Sequence, residues 1–340
     1  MSSQKKHARV AVIGMGDMGQ THAAAYLSNP STELVAVVDT RPGVAEAFAA
    51  EHGTPRSYVS ADGLFADVAA RTLTLDGISI CTPNSTHAPL AIAALQHRVN
   101  VLCEKPVADT VEAAEAIERA ALASTAEIMF GFLYRYHPET QQRILEAQER
   151  IGRLVRGEIS VMRRDGRPDR PAFTNRGLTG GGPLVDLGCH VLAPICDLIG
   201  GAVPTWAAGA TLPRRIAGGA DVENFAFGTF GFGRGNERVM PGAQLSVRAS
   251  WVTHLPDGAP DERWTIALSG TDGAIEFDLP IGEGPAQAGY DAEIDAFAKR
   301  ITGARAWGDD LENGLWVQRR VDELYRSAEE GGAPLPRTLS

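Results

Sequence analysis

The sequence predicts an α/β protein in two parts, a doubly wound parallel sheet followed by an α+β domain with a large, mostly antiparallel open sheet. Two observations predict it. Up to about residue 130, short apolar runs alternate with helical stretches, the pattern of a parallel sheet covered on both faces. After Tyr136 the runs lengthen or alternate and turn signals separate them, which reads as antiparallel strands with helices on one face. The corresponding division is 1–130 and 131–340, with the C-terminal helices free to pack back on the first part.

In the first part, Val10-Ala11-Val12-Ile13 is a strand that ends abruptly in Gly14-Met15-Gly16-Asp17-Met18-Gly19, and Gln20 to Leu27 reads as a helix. Strand, glycine turn and helix in this order give backbone amides and a helix N-terminus that meet a pyrophosphate, as in a Rossmann fold. Leu34 to Val38 is the second strand. It ends in Asp39, twenty positions beyond Gly19, where an acidic side chain meets the adenosine ribose. That carboxylate accepts two hydroxyls and repels a 2′-phosphate, so NAD is favoured. Arg41 leaves NADP open, since a guanidinium there pairs with a phosphate or stacks on adenine. Further strands are Gly77 to Ile80, Asn100 to Leu102 and Ile128 to Phe130, with helices near Leu90 to His97 and Thr110 to Ala123.

Two strand ends carry polar residues on the edge where parallel sheets bind ligands. Cys81-Thr82-Pro83-Asn84, with His87 after it, either touches the cofactor or caps the next helix through Asn84, Ser85 or Thr86. Glu104-Lys105-Pro106 places an ammonium where it can hold a substrate oxygen and stabilise developing charge.

In the second part, a polar helix over Glu139 to Arg150 precedes strands at Gly157 to Val161, Phe225 to Phe232, Gln244 to Trp251, Trp264 to Leu268 and Ala274 to Phe277. Thr271-Asp272-Gly273 reads as the hairpin turn between the last two. Helices near Asp291 to Ile301 and Asp309 to Ala328 close the chain. Between the first two strands lies Gly180-Gly181-Gly182 and then Asp186-Leu187-Gly188-Cys189-His190. On a helix this spacing puts a carboxylate and an imidazole on one face, about 5–6 Å apart at Cβ. A carboxylate beside an imidazole raises its basicity toward neutrality, where proton transfer runs both ways. The same spacing also fits a surface pair or a buried, satisfied histidine.

Composition bounds the partners. Acidic residues outnumber basic ones, 42 to 32, so neither nucleic acid nor an anionic membrane is an expected partner. No apolar run approaches the roughly 20 residues of a spanning helix, and Met1 to Arg9 leads straight into a strand without an apolar signal segment. A cytoplasmic protein is expected. Cys81, Cys103, Cys189 and Cys196 form no CxxC pair and read as reduced thiols, with no structural metal.

The stretches VAVIGMGDMGQTH, CTPNSTH, EKPVADT, GFLYRYHP and GGGPLVDLGCH, in this order and nearly end to end, resemble the Gfo/Idh/MocA family of oxidoreductases. The resemblance implies an N-terminal Rossmann domain and a C-terminal α/β domain whose open sheet forms a homodimer or homotetramer interface. It also implies a catalytic set of Lys105, Asp186 and His190. One departure is Ala193, where many members carry an acidic residue three places after the histidine. The reaction expected is NAD(P)-dependent interconversion of a secondary hydroxyl and a ketone on a sugar, sugar derivative or cyclitol. A redox-elimination glycosidase and a dinucleotide-sensing regulator are the alternatives.

Cofactor contacts are expected from Gly14, Gly16, Asp17, Met18, Gly19, Asp39, Arg41, Cys81, Thr82, Pro83, Asn84, His87, Glu104 and Lys105. Substrate contacts are expected from Lys105, Asp186 and His190. Tyr134, Arg135, Arg163 and Asn175 bind a substrate hydroxyl or carboxylate, or else make salt bridges and loop hydrogen bonds. His254 and the loop arginines read as solvent-facing.

Overall fold

The computed structural model describes residues 7–165, 175–212, 221–253 and 260–336. The chain divides into two compact units, one of residues 1–133 and 288–314, the other of residues 134–287 and 315–340. The expected boundary at 130 thus moves to 133, and the segment 288–314 joins the first unit. Packing explains that placement. A Cβ on Gly77 would lie 2.5 Å from Ile301 and 3.0 Å from Phe297, and one on Gly314 would lie 2.3 Å from the Phe130 ring.

In the first unit, β1 (Ala8–Ile13), β2 (Thr32–Val38), β3 (Arg56–Tyr58), β4 (Gly77–Ile80), β5 (Asn100–Glu104) and β6 (Ile128–Gly131) form one sheet. Its order is β3-β2-β1-β4-β5-β6 and every pairing is parallel. The crossovers are α1 (Asp17–Ser28), α2 (Val44–His52), α3 (Ala61–Ala69), α4 (His87–Gln96) and α5 (Val111–Leu122). Helices cover both faces of the sheet, and every residue of β4 and of the edge strand β6 is buried. Strand order reverses between β1 and β4, the switch point at which open α/β sheets bind ligands. Elements α2, β3 and α3 were not anticipated. Helix α2 buries only Ala45 and β3 is half-buried throughout, so their periodic signal is weak.

The second unit begins in α6 (Leu133–Tyr136) and α7 (Pro138–Ile151) and continues through β7 (Leu154–Arg163), α8 (Arg176–Thr179) and α9 (Cys189–Leu198). Strands β8 (Trp206–Leu212), β9 (Phe225–Phe232), β10 (Val239–Ser250), β11 (Glu262–Gly270) and β12 (Ala274–Asp278) follow. Helices α10 (Glu283–Ile301) and α11 (Asp310–Glu329) and a two-residue β13 (Leu335–Pro336) complete the chain. The seven-stranded sheet runs β12-β11-β7-β10-β9-β8-β13. It is mostly antiparallel, as expected, but β7 and β10 pair in parallel. The hairpin turn falls between Gly270 and Gly273, whose N–H and C=O meet at 2.8 Å.

Alternation sets the two faces of this sheet. Leu245, Val247 and Ala249 of β10 point inward with Ile159 and Val161 of β7, while Gln244, Ser246 and Arg248 point outward. Helix α9 is buried on nearly all sides, the behaviour of a core helix. No helix among the described residues is long and apolar enough to cross a membrane.

Candidate active site

The functional residues fall into two groups, one in each unit. In the first, the turn after β1 depends on glycine. Gly14 has φ +92°, and a Cβ there would lie 2.5 Å from the Cys81 carbonyl; a Cβ on Gly19 would lie 1.7 Å from the Gly14 carbonyl. Gly16 faces open space and is the N-cap of α1, with no side chain capping the helix. The 12-residue helix thus presents its positive end at the turn. Exposed Asp17 and half-buried Met18 open that helix, three residues before the expected start. A cavity of about 720 Å³ adjoins the turn, lined by Gly14, Gly16, Asp39, Arg41, Thr82 and Pro83 among others. Its size, the open glycine and the uncapped helix end fit a dinucleotide.

Asp39 is buried at the end of β2 and its carboxylate is fully occupied. Oδ2 accepts the Met15 N–H and Arg41 Nη2, both at 2.8 Å; Oδ1 accepts the Arg41 N–H at 2.8 Å and Nε at 2.9 Å. Four donors fill the roughly four lone-pair sites of a carboxylate. The Arg41 hydrogen bond foremost, aided by the two amides, holds the acid down to about 2. Arg41 thus lies on Asp39, with its Nη2 also 3.1 Å from the Met15 carbonyl.

After β4, the Thr86 hydroxyl turns back to within 2.7 Å of Thr82 Oγ1 and the Pro83 carbonyl, so it takes the cap position of α4 without a capping bond. Asn84 begins the short 3-10 turn that leads into α4. His87 departs from expectation. It is fully buried, with Nδ1 2.8 Å from the Pro106 carbonyl and Nε2 2.9 Å from the Thr82 carbonyl, so it ties two loops together rather than facing the cavity. Burial lowers its basicity. Glu104 ends β5; its Oε2 accepts the Lys105 N–H at 3.0 Å and its Oε1 lies 2.9 Å from His22 Nε2. Lys105 is half-buried and its bond to Pro106 is cis.

In the second unit, Asp186 and His190 lie on one continuous helical segment, but not on a single α-helix. Leu184–Gly188 winds as a π turn and α9 begins at Cys189. Such turns are rare and recur at functional sites. The Glu223 carboxylate secures the entry by accepting the Gly182 N–H at 3.0 Å and the Tyr325 hydroxyl at 2.6 Å. The indole of fully buried Trp251 donates to Asp186 Oδ2 at 2.9 Å and fixes that carboxylate.

His190 is 6% exposed. Tyr134 meets it edge-on, with centroids 5.7 Å apart at 89°, and the Trp264 ring lies 6.0 Å away. Burial, then the Glu262 carboxylate, pushes the Tyr134 phenol far up, so it remains a neutral donor. Glu262 itself takes the Trp264 indole at 2.5 Å and Arg163 Nε at 2.7 Å. A fixed carboxylate, a confined imidazole and a neutral phenol are groups of the kind that can transfer a proton.

Three of the candidate substrate contacts make the salt bridges and loop hydrogen bond given as their alternative reading. Arg135 makes a two-point bridge to Asp197 of α9, at 2.8 and 3.0 Å. Arg163 bridges Glu262 as above. Asn175 caps α8 by accepting the Gly177 N–H at 2.9 Å. Ala193 is fully buried within α9, and His254 lies outside the described residues. Sequence reading missed Trp251, Trp264, Glu262 and Glu223; the only signal was a tryptophan at the end of two anticipated strands.

Residues 8–132 match the family described as an oxidoreductase family with an NAD-binding Rossmann fold, GFO/IDH/MocA, and residues 141–276 match the GFO/IDH/MocA C-terminal domain. The chain belongs to the Gfo/Idh/MocA family. It is thus an NAD(P)-dependent oxidoreductase with NAD-binding and C-terminal domains in family order. D-glucoside 3-dehydrogenase of Escherichia coli K12 is 28% identical over 345 residues, covering 95% of this chain and 96% of that one. Among solved structures, GenD2 from gentamicin A biosynthesis, in complex with NAD, superposes with a TM-score of 0.83 at 23% identity, covering 99% and 98% of the two chains. Levoglucosan dehydrogenase in complex with NADH and levoglucosan gives 0.81 at 22%, covering 97% and 99%.

Proposed function

We propose that this Gfo/Idh/MocA oxidoreductase interconverts a secondary hydroxyl and a ketone on a sugar, sugar derivative or cyclitol, with His190 as the acid/base. The carrying observation is the confinement of a nearly buried imidazole between Tyr134 and Trp264, next along the helix from a carboxylate fixed by an indole. NAD, when bound, supplies the nicotinamide that takes up a hydride equivalent from the carbinol carbon. The glycine turn and the α1 N-terminus hold its pyrophosphate, and Asp39 reads its adenosine ribose.

The protein's own part is proton handling and positioning. His190 takes the hydroxyl proton during oxidation and returns it during reduction. Asp186, immobilised by Trp251, orients the imidazole and stabilises its protonated form. Lys105 holds the reacting oxygen and offsets its developing negative charge. The relatives named D-glucoside 3-dehydrogenase and levoglucosan dehydrogenase, 28% and 27% identical, support a sugar as the substrate class. The outward face of the seven-stranded sheet, where Arg156, Arg248 and Phe227 are exposed, is proposed to pair with a second copy in a homodimer or homotetramer. Light scattering of the purified protein tests that assembly.

Purified protein is offered glucosides, anhydro sugars, nucleotide sugars, aminosugars and inositols with NAD or NADP, and nicotinamide absorbance is followed. Stoichiometric NADH formation with a sugar or cyclitol supports the reading. Glycoside cleavage without net NADH would replace it with redox elimination, and dinucleotide binding without turnover across the panel would replace it with sensing.

A further inference from the structure

Behind the Glu104-Lys105 strand end lies a buried cluster of ionisable groups that the proposed mechanism does not use. His22 of α1 is fully buried, with Nδ1 3.0 Å from Ser79 Oγ and Nε2 2.9 Å from Glu104 Oε1. The Tyr26 hydroxyl lies 2.7 Å from the same Ser79 Oγ. Glu293 of α10 is also fully buried, and its Oε1 lies 4.0 Å from His22 Nε2. Neither Glu293 oxygen has a hydrogen-bond partner among the described residues.

The donors run in one direction. With Glu104 ionised, His22 Nε2 carries the hydrogen it shares with that carboxylate, Nδ1 accepts from Ser79, and Ser79 Oγ accepts from Tyr26. The Lys105 N–H supports the other oxygen of Glu104. One negative charge is therefore well solvated by protein dipoles. A second, on Glu293, has no donor and faces the first across the imidazole. Two carboxylates so close in a dry site do not both ionise. Burial, reinforced by Glu104, pushes the Glu293 carboxyl well above the usual carboxylate range.

We propose that Glu293 carries a proton in the folded protein and that His22 is a positioning residue, clamping the Glu104 carboxylate that fixes the backbone of Lys105. The lysine half of this proposal rests on the role assigned to Lys105 above; the proton half does not. The groups facing Glu293 are His22 and Tyr26 from α1, Cys81 after β4, Glu104 from β5 and Tyr290 on its own helix. A divalent cation held by His22, Glu104 and Glu293, whose ligand atoms lie within 4.8 Å of one another, is the competing occupant.

The first measurement is unfolding of wild type and Glu293→Gln, a neutral isostere, between about pH 5 and pH 9. Below its ordinary value of about 4.3 the carboxyl is protonated in both folded and unfolded chains. As pH rises, the unfolded chain releases the proton and the folded chain keeps it, so wild type loses stability relative to the variant. The ratio of their folding constants should fall about tenfold per pH unit until the folded carboxyl titrates. Parallel stability curves, or one tightly bound metal ion per chain by elemental analysis, would overturn the proton.

The second measurement is turnover of His22→Ala and His22→Gln. The alanine variant should lose roughly 10–100-fold in kcat with little change in NAD affinity, the scale of a small misplacement at the reacting centre. The glutamine variant, which can still donate to Glu104, should recover most of that loss. Unchanged kcat in His22→Ala, or no recovery in His22→Gln, would overturn the clamp. Normal turnover in Lys105→Ala would instead overturn the role of the lysine, and the stability ratio would still report the proton.

Discussion

The dinucleotide turn of the first unit and the Asp186–His190 segment of the second achieve precision by opposite means. In the turn, recognition rests on the backbone: Gly14 and Gly19 leave no room for a Cβ, and Gly16 opens onto the cavity. In the helical segment, recognition rests on side chains, each fixed by a partner far away in the chain. Trp251 holds Asp186, while Tyr134 and Trp264 flank His190. The difference is that the first device fails when atoms are added and the second when polar or aromatic atoms are removed.

The widest separation of the two should come from His190→Ala. A positioned acid/base contributes typically ~10²–10⁴-fold, so kcat should fall by that order while NAD affinity, measured by fluorescence titration, stays near wild type. Turnover close to normal would remove the imidazole from the chemistry.

Gly19→Ala tests the backbone device. The new methyl would sit 1.7 Å from the Gly14 carbonyl, a backbone atom that cannot swing aside. Overpacking of this kind costs about 1–3 kcal/mol, and because the displaced atoms form the phosphate turn, NAD binding should fall together with the melting temperature. A variant that melts normally and binds NAD normally would show that the turn is more compliant than its packing indicates.

Trp251→Phe sharpens the side-chain device by removing the indole N–H together with part of the ring. A hydrogen bond to a charged group contributes about 1.5–3 kcal/mol, so kcat should drop by roughly 10–100-fold with a smaller change in KM. If KM rises and kcat holds, Asp186 binds substrate rather than orienting the histidine.

These same means explain what could be read in advance. The glycine turn was legible because local backbone geometry demands glycine there, and Asp39 and Glu104–Lys105 because they stand at the ends of strands that apolar runs mark. The π turn was not. Its winding is secured by Glu223 on Gly182 and by Trp251 on Asp186, contacts 41 and 65 residues apart in the chain. Arg135 and Asn175 stayed open between two readings for a related reason: an arginine that bridges Asp197 and an asparagine that caps α8 look identical, as letters, to ligand contacts. His87 likewise follows a ligand-edge motif, yet two backbone carbonyls claim its ring.

The smallest expected effect concerns Arg41, whose side chain is paired to Asp39 beside the glycine turn. All four acceptor sites of Asp39 are filled, two of them by the Arg41 guanidinium, so an adenosine ribose has to displace that group before its hydroxyls reach the carboxylate. Arg41 is 60% exposed, and ion pairs at such positions contribute only about 0–1 kcal/mol. Arg41→Ala should therefore tighten NAD binding by at most about fivefold, while NADP, deprived of a cation for its 2′-phosphate, weakens. The NAD to NADP preference thus shifts further toward NAD than either affinity does alone. A shift toward NADP would mean that the guanidinium repels nothing and binds nothing at the ribose, and that Asp39 without its partner turns away from the cavity.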